Sequence, residues 1–390
     1  MSMNVQELIK NYEQLYEQEK SGIVNGIPLK PFLPAFSKYL PAIQKGNQFL
    51  VTANSGVGKT QISKFLFAII PYLYSKMNPN YKYKVMWFAL EESKQEFFDS
   101  IMLFFTNEKY QKRLNMHILQ NVDESLKLNP EIISMLESNE HEMTEFFSNL
   151  EIIDTVSNPF GIYKHCRAYS EKVGKHHYTT KKFEKTNKDG TKVLNLDGTP
   201  VIESVDVYER YENTSNEHVI VVVDHISLLS QEKQFKSWYE TIEHYSTEYC
   251  RKQMSKHWGF TVVNIQQQAS DKEKQQYTVK GDSIEDKLEP SLDGLGDIKI
   301  TQRDCHVVLG LFAPDRYGIK SHKDYNTEYL GDNYRSLSIL KNRYGSANIK
   351  KGLLFDGATL RFKELPPAKE FTGFDAKYDY QKTLEEFLNS

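Results

Sequence analysis

The segment 53–60 constrains this chain more than any other, because its residue order is that of a loop that holds phosphate groups. It reads Ala-Asn-Ser-Gly-Val-Gly-Lys-Thr, and it lies between the apolar stretch 48–52 and a helical pattern over 61–77. The pattern G-x-x-x-x-G-K-[ST] is met from Gly58 onward, with Ala53 in place of the first glycine. Glycine lets the backbone curl so that successive N–H groups point at phosphate oxygens, and the helix that follows adds its positive amino end.

The polar residues of this loop have the chemistry needed to bind a nucleoside triphosphate. Lys59 reaches the β- and γ-phosphates, and the Thr60 hydroxyl ligates Mg²⁺. We therefore expect ATP and Mg²⁺ as cofactors, although no base-specific contact is evident from the sequence. The predicted binding residues are Ala53, Asn54, Ser55, Gly56, Val57, Gly58, Lys59, Thr60 and Gln61.

Acidic residues end two further apolar stretches. Asp224 closes the run 221–223, which predicts a second Mg²⁺ ligand, and a capping aspartate at a strand end is the alternative. Glu91 and Glu92 follow the stretch 84–90, and either is a candidate for the base that orients the attacking water. The alternative for this pair is a carboxylate at a helix amino end, where the helix dipole favours it.

Apolar strands alternate with helical patterns along most of the chain. The predicted strands cover 48–52, 84–90, 150–155, 218–230, 260–266, 305–312 and 336–340. The predicted helices cover 61–77, 93–105, 121–149 and 235–258, and Pro71 is expected to kink or divide the first. This alternation predicts an α/β fold in which helices cover both faces of a mostly parallel sheet. No internal repeat is visible.

Three segments lie outside this alternation. Residues 5–19 form an amphipathic helical pattern, which either packs on its own domain or docks on a neighbouring subunit. A basic stretch over 172–192 and an acidic stretch over 201–217 predict a β-hairpin insertion, either a solvated charged loop or a nucleic-acid contact. A tail follows the core and is either a docking segment or a packed helix. The expected organisation is a linker helix and tether over 1–45, a nucleotide-binding domain over 46–365 with its insertion at 168–217, and a tail over 366–390.

Composition narrows the classes of protein that this chain can belong to. No apolar run approaches the roughly 20 residues of a membrane span, and the polar start of the chain is no secretory signal. The three cysteines, Cys166, Cys250 and Cys305, have neither a disulfide framework nor a zinc spacing, so we expect a cytoplasmic protein. The net charge of −3 argues against a basic surface overall, but a local basic lining for nucleic acid needs no such surface.

Taken in order, these motifs resemble the RecA-like ATPase core, and most of all the C-terminal motor domain of DnaB-type replicative helicases. Segment 89–93 (Ala-Leu-Glu-Glu-Ser) resembles the family's S-L-E-M-S, and segment 222–229 resembles its V-I-D-Y-L-Q-L-M, with His225 in place of tyrosine. Segment 262–267 resembles a strand that ends in S-Q, and segment 339–345 (Ile-Leu-Lys-Asn-Arg-Tyr-Gly) resembles K-x-R-x-G. The resemblance covers about residues 45–362, and the hairpin insertion lies outside it. The stretch before residue 45 is too short for the family's N-terminal helical domain.

The resemblance implies a role for each matched residue. Glu91 corresponds to the catalytic glutamate, and Gln267 to the γ-phosphate sensor, with Gln266 as the fallback. Lys341 and Arg343 correspond to a pair that reaches the nucleotide of the adjacent subunit, where the arginine neutralises charge on the transferring phosphoryl group. Two cations two residues apart on a strand point the same way, and a pair of solvated cations on an edge strand is the alternative. With Lys59, these residues form the predicted catalytic set.

The same resemblance implies partners. We expect a homo-oligomer, a hexamer, that holds single-stranded DNA in loops such as 269–297, where Lys272, Lys274 and Lys280 are interspersed with acidic residues. The implied function is an ATP-dependent replicative DNA helicase. The alternatives are a RecA-like recombination or strand-annealing ATPase that forms filaments, and a nucleotide-dependent assembly ATPase without a nucleic-acid substrate.

Overall fold

A nine-stranded sheet lies at the centre of the computed structural model, which describes residues 5–20, 25–122, 127–269, 288–371 and 375–389. In chain order the strands are β1 (Gly26–Pro28), β2 (Ala42–Gln44), β3 (Gln48–Ala53), β4 (Tyr83–Ala89), β5 (Leu150–Ile153), β6 (Gly174–Glu184), β7 (Ile202–Asn213), β8 (His218–Asp224), β9 (Thr261–Gln267), β10 (Val307–Phe312), β11 (Ser321–His322), β12 (Tyr325–Asn326), β13 (Tyr334–Asn342), β14 (Ile349–Asp356) and β15 (Arg361–Glu364). The helices are α1 (Val5–Lys20), α2 (Lys59–Lys64), α3 (Ile70–Met77), α4 (Lys94–Tyr110), α5 (Met116–Leu119), α6 (Pro130–Glu137), α7 (Glu140–Ser148), α8 (Pro159–Val173), α9 (Trp238–His244), α10 (Ile300–Asp304), α11 (Thr327–Leu330) and α12 (Ala376–Leu388).

The order of the strands in the sheet is β15-β14-β13-β10-β3-β9-β8-β4-β5. The six strands from β10 to β5 run parallel, and β13, β14 and β15 extend the sheet by antiparallel pairing. The predicted α/β fold with a mostly parallel sheet is therefore confirmed. Because parallel strands end at the same edge, the carboxyl ends of β3, β4, β8 and β9 meet there.

Burial on both faces explains the apolar run of β8. Val219, Val221 and Val223 pack in one core cluster, and Ile220 and Val222 pack in the cluster on the other face. Every residue of this strand is buried, as a continuous apolar strand in a parallel sheet requires.

Two helical predictions need correction. The single helix predicted over 121–149 is two helices, α6 and α7, because Asn139 turns its buried side chain toward Thr106 of α4 and donates to its hydroxyl at 2.8 Å. Asn129 begins α6 by accepting the N–H of Ile132 at 3.0 Å. The helix predicted over 235–258 consists of α9 and the π-helical segment Tyr245–His257 that continues it.

The helix after segment 53–60 is divided in the way that its proline predicts. A π-helical turn, Phe65–Ile69, separates α2 from α3, and Pro71 lies in the first turn of α3. The N–H groups in the first turn of a helix have no partner within that helix, so proline, which lacks an N–H, is tolerated at this position.

The predicted hairpin insertion is present as a two-stranded ribbon, β6 and β7, paired from Gly174↔Asn213 to Glu184↔Ile202. It begins after α8, so that residues 168–173 belong to a helix of the core rather than to the insertion. The ribbon leaves the core near the amino end of β8.

The two ends of the chain differ in how they pack. In α1 the apolar residues Val5, Ile9 and Tyr12 are exposed. By contrast, α12 packs on the core through the buried residues Tyr380 and Phe387, in a cluster that includes Tyr334. No helix among the described residues is long and apolar enough to cross a membrane.

A buried carboxylate, paired with a half-exposed arginine, fixes the loop after β14 against the chain that follows α4. Asp356, which is 1% exposed, accepts bonds from Arg113 Nε at 3.0 and 3.1 Å and from Arg113 Nη2 at 2.8 Å. It also accepts bonds from Ala358 N and Thr359 Oγ1 at 3.1 and 2.8 Å. These bonds hold the loop at Gly357, which is part of the site described below.

We expect Asp356→Ala to lower the free energy of unfolding by about 2 kcal/mol or more, because Arg113 and Thr359 lose their buried acceptor. Urea denaturation followed by circular dichroism measures the effect. The matched control is Glu131→Ala, which removes an exposed ion pair with Lys112 and costs less than about 0.5 kcal/mol. Equal costs for the two variants would contradict this account.

Candidate nucleotide site

The loop 53–60 connects the carboxyl end of β3 to the amino end of α2. Gly58 precedes α2 with φ +106°, and Gly56 has φ +71°, both in the left-handed region that glycine adopts without strain. Lys59 is buried to 7% exposure at the start of the helix. The loop therefore has the curled backbone, the lysine and the helix amino end that a phosphate site requires.

Asp224 lies beside this loop, at the carboxyl end of β8. It is fully buried, and neither carboxylate oxygen has a hydrogen-bond partner within the described residues. Burial, together with the negative charges of Glu92 and Glu91, raises the pKa of Asp224 to about 7, and Thr60 and Lys59 only partly oppose this shift. A buried carboxylate whose charge its neighbours offset only in part is suited to a cation ligand.

The residues present fit Mg²⁺ held partly by phosphate oxygens. The described residues contain no cluster of three or more histidine, cysteine, aspartate or glutamate side chains that could hold a metal alone. Mg²⁺ in nucleotide sites is typically bound by one or two protein oxygens, with phosphates and waters completing its octahedron. Asp224 and the Thr60 hydroxyl would supply such a pair of oxygens.

Two neighbouring glutamates after β4 have different surroundings. The Glu91 carboxylate is half-exposed and lies 3.8 Å from Lys59 Nζ. Glu92 accepts a bond of 2.7 Å from Lys64 Nζ, and burial raises its pKa. Glu92 is thus engaged in an ion pair of the core, whereas Glu91 faces the loop and the solvent from which a water molecule would come.

Neither glutamate caps the helix that follows. The amino end of α4 is capped by Ser93 and Glu96, because the Ser93 hydroxyl accepts the N–H of Glu96 at 3.2 Å and the Glu96 carboxylate accepts the N–H of Ser93 at 2.8 Å. The alternative interpretation of Glu91 and Glu92 as helix-end carboxylates therefore has no support here.

The wall opposite the loop is made by residues that the sequence patterns did not indicate. A cavity of about 400 Å³ is lined by loop residues, Glu91, Glu92 and Asp224, and also by Asp332, Arg335, Phe355 and Gly357. Arg335 Nε donates to Val57 O at 2.8 Å, and its guanidinium lies 4.6 Å from the centre of the Phe355 ring. Antiparallel pairing of β13 and β14 brings these two residues together, and the local sequence carries no sign of it.

Arg316 also contacts the loop, by donating from Nη1 to Ser55 O. A Cβ atom on Gly56 would lie only 2.8 Å from Arg316 Nη1, so the small residue at this position leaves room for the guanidinium. No pattern in the sequence indicated Arg316 either.

His225 departs from the tyrosine of the resembled motif, and it is buried next to the site. Within the described residues its ring nitrogens have no hydrogen-bond partner. Burial and the nearby charge of Lys59 lower its pKa, which favours the neutral imidazole.

The glutamines at the end of β9 occupy three different positions. Gln267 is half-buried, ends the strand opposite Ala53, and does not line the cavity. Gln266 is fully buried and bonds to Leu295 O at 3.1 Å and Thr301 Oγ1 at 2.8 Å. Gln268 donates to Thr52 Oγ1 at 2.9 Å. The internal bonds of Gln266 make it a poor choice for a phosphate sensor.

Lys341 and Arg343 lie at the other edge of the sheet. In the register of the sheet, Lys341 lies opposite Val308, which in turn lies opposite Leu50 of β3. The backbone N–H of Arg343 donates to His306 O, and the N–H of His306 donates to Gln48 O at the start of β3. Gln48 is five residues before Ala53, so about 17 Å of strand separates this pair from the start of the loop. The structure therefore does not bring them together with the loop of the same chain.

The two cations share a set of backbone acceptors. Both donate to Arg303 O at the end of α10, Lys341 Nζ at 3.1 Å and Arg343 Nη2 at 2.7 Å, and Arg343 Nε donates to Cys305 O at 3.2 Å. They point the same way, in agreement with their spacing. The lysines proposed to contact DNA, Lys272, Lys274 and Lys280, lie outside the described residues.

Comparison with known proteins supports the fold. No family model matches the chain, and no curated protein matches its sequence. A solved structure described as an ATPase domain is similar at a TM-score of 0.63 and 16% identity, over 94% of this chain and 100% of that chain. The structure of a DnaB-like replicative helicase, described with its interactions with primase, is similar at a TM-score of 0.59 and 16% identity, over 92% of this chain and 66% of that chain. The chain thus has the RecA-like fold of DnaB-type ATPase domains, which confirms the resemblance at the level of fold.

We expect Asp224→Asn to raise the melting temperature of the protein in the absence of nucleotide and Mg²⁺. The pKa of this group is 3.8 as the ordinary value and about 7 in the fold, so folding disfavours the ionised form. The free energy of unfolding of the wild-type protein therefore falls as the pH rises from about 4 to about 7, because over this range the Asp224 carboxyl is ionised in the unfolded chain but still protonated in the fold. Above that range the loss stays constant. The gain of the variant grows over this window and reaches a few degrees at pH 8, measured by thermal denaturation.

The control for this experiment is Glu91→Gln, which changes a half-exposed carboxylate and leaves the melting temperature nearly unchanged. A gain for Asp224→Asn that is the same at pH 5 and pH 8 would refute the assigned cause.

Proposed function

We propose that the chain is an ATP-driven DNA motor of the replicative helicase type, with nucleotide sites shared between neighbouring copies. One observation carries the proposal: the two halves of such a site lie at opposite edges of one sheet. Segment 53–60, Glu91 and Asp224 follow the carboxyl ends of parallel strands, whereas Lys341 and Arg343 lie level with the amino ends. One chain cannot join these halves, but two adjacent copies in a head-to-tail arrangement can.

In the proposed reaction the chain positions the terminal phosphate and activates a water molecule. The loop N–H groups and Lys59 Nζ bind the β- and γ-phosphates, and bound Mg²⁺, with Thr60 and Asp224 as ligands, would neutralise charge on their oxygens. The Glu91 carboxylate orients the attacking water and accepts its proton. Arg343 of the adjacent copy neutralises the charge that develops on the transferring phosphoryl group.

The far wall of the cavity holds the phosphate loop in place. Phe355 is 5% exposed, and its ring stacks on that of Phe362 with the centres 4.6 Å apart. The Arg335 guanidinium lies over the same ring and donates to Val57 O of the loop.

Complementary apolar surfaces on the same chain support a homo-oligomer. The helix α1 exposes Val5, Ile9 and Tyr12 at helical spacing, together with Leu15 and Tyr16. Helices α4, α6 and α7 enclose a largely apolar groove of about 520 Å³, lined by Phe98, Met102, Leu136, Met143 and Phe147 among others. Docking of α1 in the groove of the next copy would bury both surfaces.

We expect Arg343→Ala to lower ATP hydrolysis at least about a hundredfold while nucleotide binding persists, because the variant lacks the charge that stabilises the transition state. Mixed in equal amounts with Lys59→Ala, which is itself inactive, the variant regains activity at about a quarter of the sites, because there Lys59 of one copy meets Arg343 of the next. Steady-state hydrolysis and fluorescent-nucleotide binding measure the two effects.

The matched control is Arg303→Ala, which removes a cation exposed at the same edge. It retains most of the activity, and no recovery of hydrolysis in the mixture of Arg343→Ala with Lys59→Ala would show that the site is not shared.

We also expect single-stranded DNA to stimulate ATP hydrolysis several-fold, with a stimulation that weakens as salt rises, because DNA binding releases counterions. Lys59→Ala removes hydrolysis with or without DNA but retains DNA binding, which fluorescence anisotropy measures. Hydrolysis that is indifferent to DNA in all salts would favour an assembly ATPase without a nucleic-acid substrate.

A further inference from the structure

The ribbon β6–β7 projects from the core with both of its strand edges unpaired in the described part of the chain. Its base packs on the core, where Tyr208 stacks on His257 with ring centres 4.6 Å apart and His176 contacts Trp258. Beyond Tyr178, nearly all residues of both strands are exposed. The 11 residues of β6 extend over about 35 Å. An isolated two-stranded ribbon of this kind is marginally stable in water, so a partner that covers it is physically expected.

The tip of the ribbon is built from a repeat that the sequence patterns above did not indicate. Asn187-Lys-Asp-Gly-Thr191 and Asn195-Leu-Asp-Gly-Thr199 recur at a spacing of eight residues, and each forms the same turn. In each turn the asparagine amide donates to the threonine hydroxyl at 3.0 Å, and the aspartate accepts the N–H of the threonine.

Backbone bonds close these turns into a three-way junction. Lys185 N donates to Val201 O, Val201 N donates to Val193 O, and Val193 N donates to Lys185 O, each at 2.8 Å. The junction ends the ribbon and fixes the register of its two strands without a hydrophobic core. The ribbon is therefore a defined extended surface, rather than a solvated charged loop.

Charge is divided sharply between the two halves of the ribbon. Residues 174–192 contain six lysines and two acidic residues, which gives a net charge of +4. Residues 193–213 contain five acidic residues and one arginine, which gives a net charge of −4. Because the basic strand lies directly beside the acidic strand and the ribbon as a whole is neutral, the ribbon presents no continuous basic surface of the kind that binds nucleic acid.

We propose that the ribbon pairs with the ribbon of a second copy of this chain, with the basic strand β6 of one copy beside the acidic strand β7 of the next. This orientation extends an antiparallel sheet, since β6 and β7 run in opposite directions within each ribbon. Pairing β6 with β6, or β7 with β7, would instead place like charges together, which costs free energy.

The consequence of this pairing is a head-to-tail contact that uses a different edge on each copy. Such a contact is heterologous, so it continues from copy to copy and closes into a ring when the rotation permits. It also covers the exposed apolar residues Phe183 and Val205. The inference deepens the proposed oligomer by naming one of its interfaces, and it requires neither ATP hydrolysis nor DNA.

Two complementary charge variants test the pairing. Lys181→Glu/Lys182→Glu changes the net charge of β6 from +2 to −2, so that both strands are acidic. Glu203→Lys/Asp206→Lys changes the net charge of β7 from −3 to +1, so that both strands are basic. We expect each variant alone to self-associate at least about tenfold more weakly than wild type, as measured by sedimentation or mass photometry. An equimolar mixture restores assembly, because every contact again joins an acidic strand to a basic strand.

Unfolding of the ribbon cannot explain this pattern of results. Each variant carries like charges within its own ribbon whether it is alone or in the mixture, so an unfolded ribbon would stay unfolded and assembly would not return. Failure of the mixture to assemble, or unchanged assembly of the single variants, overturns the proposal. The shared nucleotide site would stand in that case if Arg343→Ala and Lys59→Ala still restored hydrolysis to each other.

Cross-linking distinguishes the orientations. The three native cysteines are buried, so cysteines introduced as Thr180→Cys on β6 and Ser204→Cys on β7 are the accessible thiols. A short bismaleimide joins the two single variants when they are mixed but joins neither to itself. Covalent dimers of one variant alone would indicate pairing of identical edges and would refute the head-to-tail contact.

Discussion

Parallel pairing of β3 with β9 and β10, and of β9 with β8, determines where the chemistry of this chain lies. Ala53 is opposite Gln267, and Asp224 is opposite Ile265. The phosphate loop, the Asp224 carboxylate and the carboxyl end of β9 therefore meet at one edge of the sheet. The same pairing places the antiparallel strand β13 with its end at the other edge, where Lys341 and Arg343 lie. A sheet that was antiparallel throughout would mix these groups at both edges. The separation of the two halves of the site thus follows from strand direction alone.

Within the site, charge is balanced unevenly. Glu92 has Lys64 as its partner, and Lys59 lies near Glu91, but the buried Asp224 has no hydrogen-bond partner among the described residues. Its raised pKa expresses that deficit, which a divalent cation with its phosphates would correct. The loop is therefore arranged for a ligand that brings both signs of charge.

The parts of this structure that could be predicted from sequence are those that depend on neighbouring residues. Segment 53–60, the apolar run before Asp224 and the alternation of strands and helices are local patterns, and the α/β sheet follows from them. Arg335 and Phe355 could not be found in this way, because a contact between separate strands creates their role. The break between α6 and α7 depends on a bond from Asn139 to a distant helix, which the helical periodicity does not contain. The repeat at the ribbon tip was missed for two reasons. Apolar and polar residues do not alternate along it, so it shows no strand pattern, and its two turns are spaced like those of a single irregular loop.

The packing of α12 has a consequence for the order in which the site is completed during synthesis. This helix contacts Tyr334, and the adjacent Arg335 donates to Val57 O across 278 residues of sequence. The phosphate loop leaves the ribosome early, yet the strands that flank it and the arginine that holds it emerge much later. A nascent chain therefore carries an unfinished nucleotide pocket until β13, β14 and α12 have emerged and packed against the earlier strands.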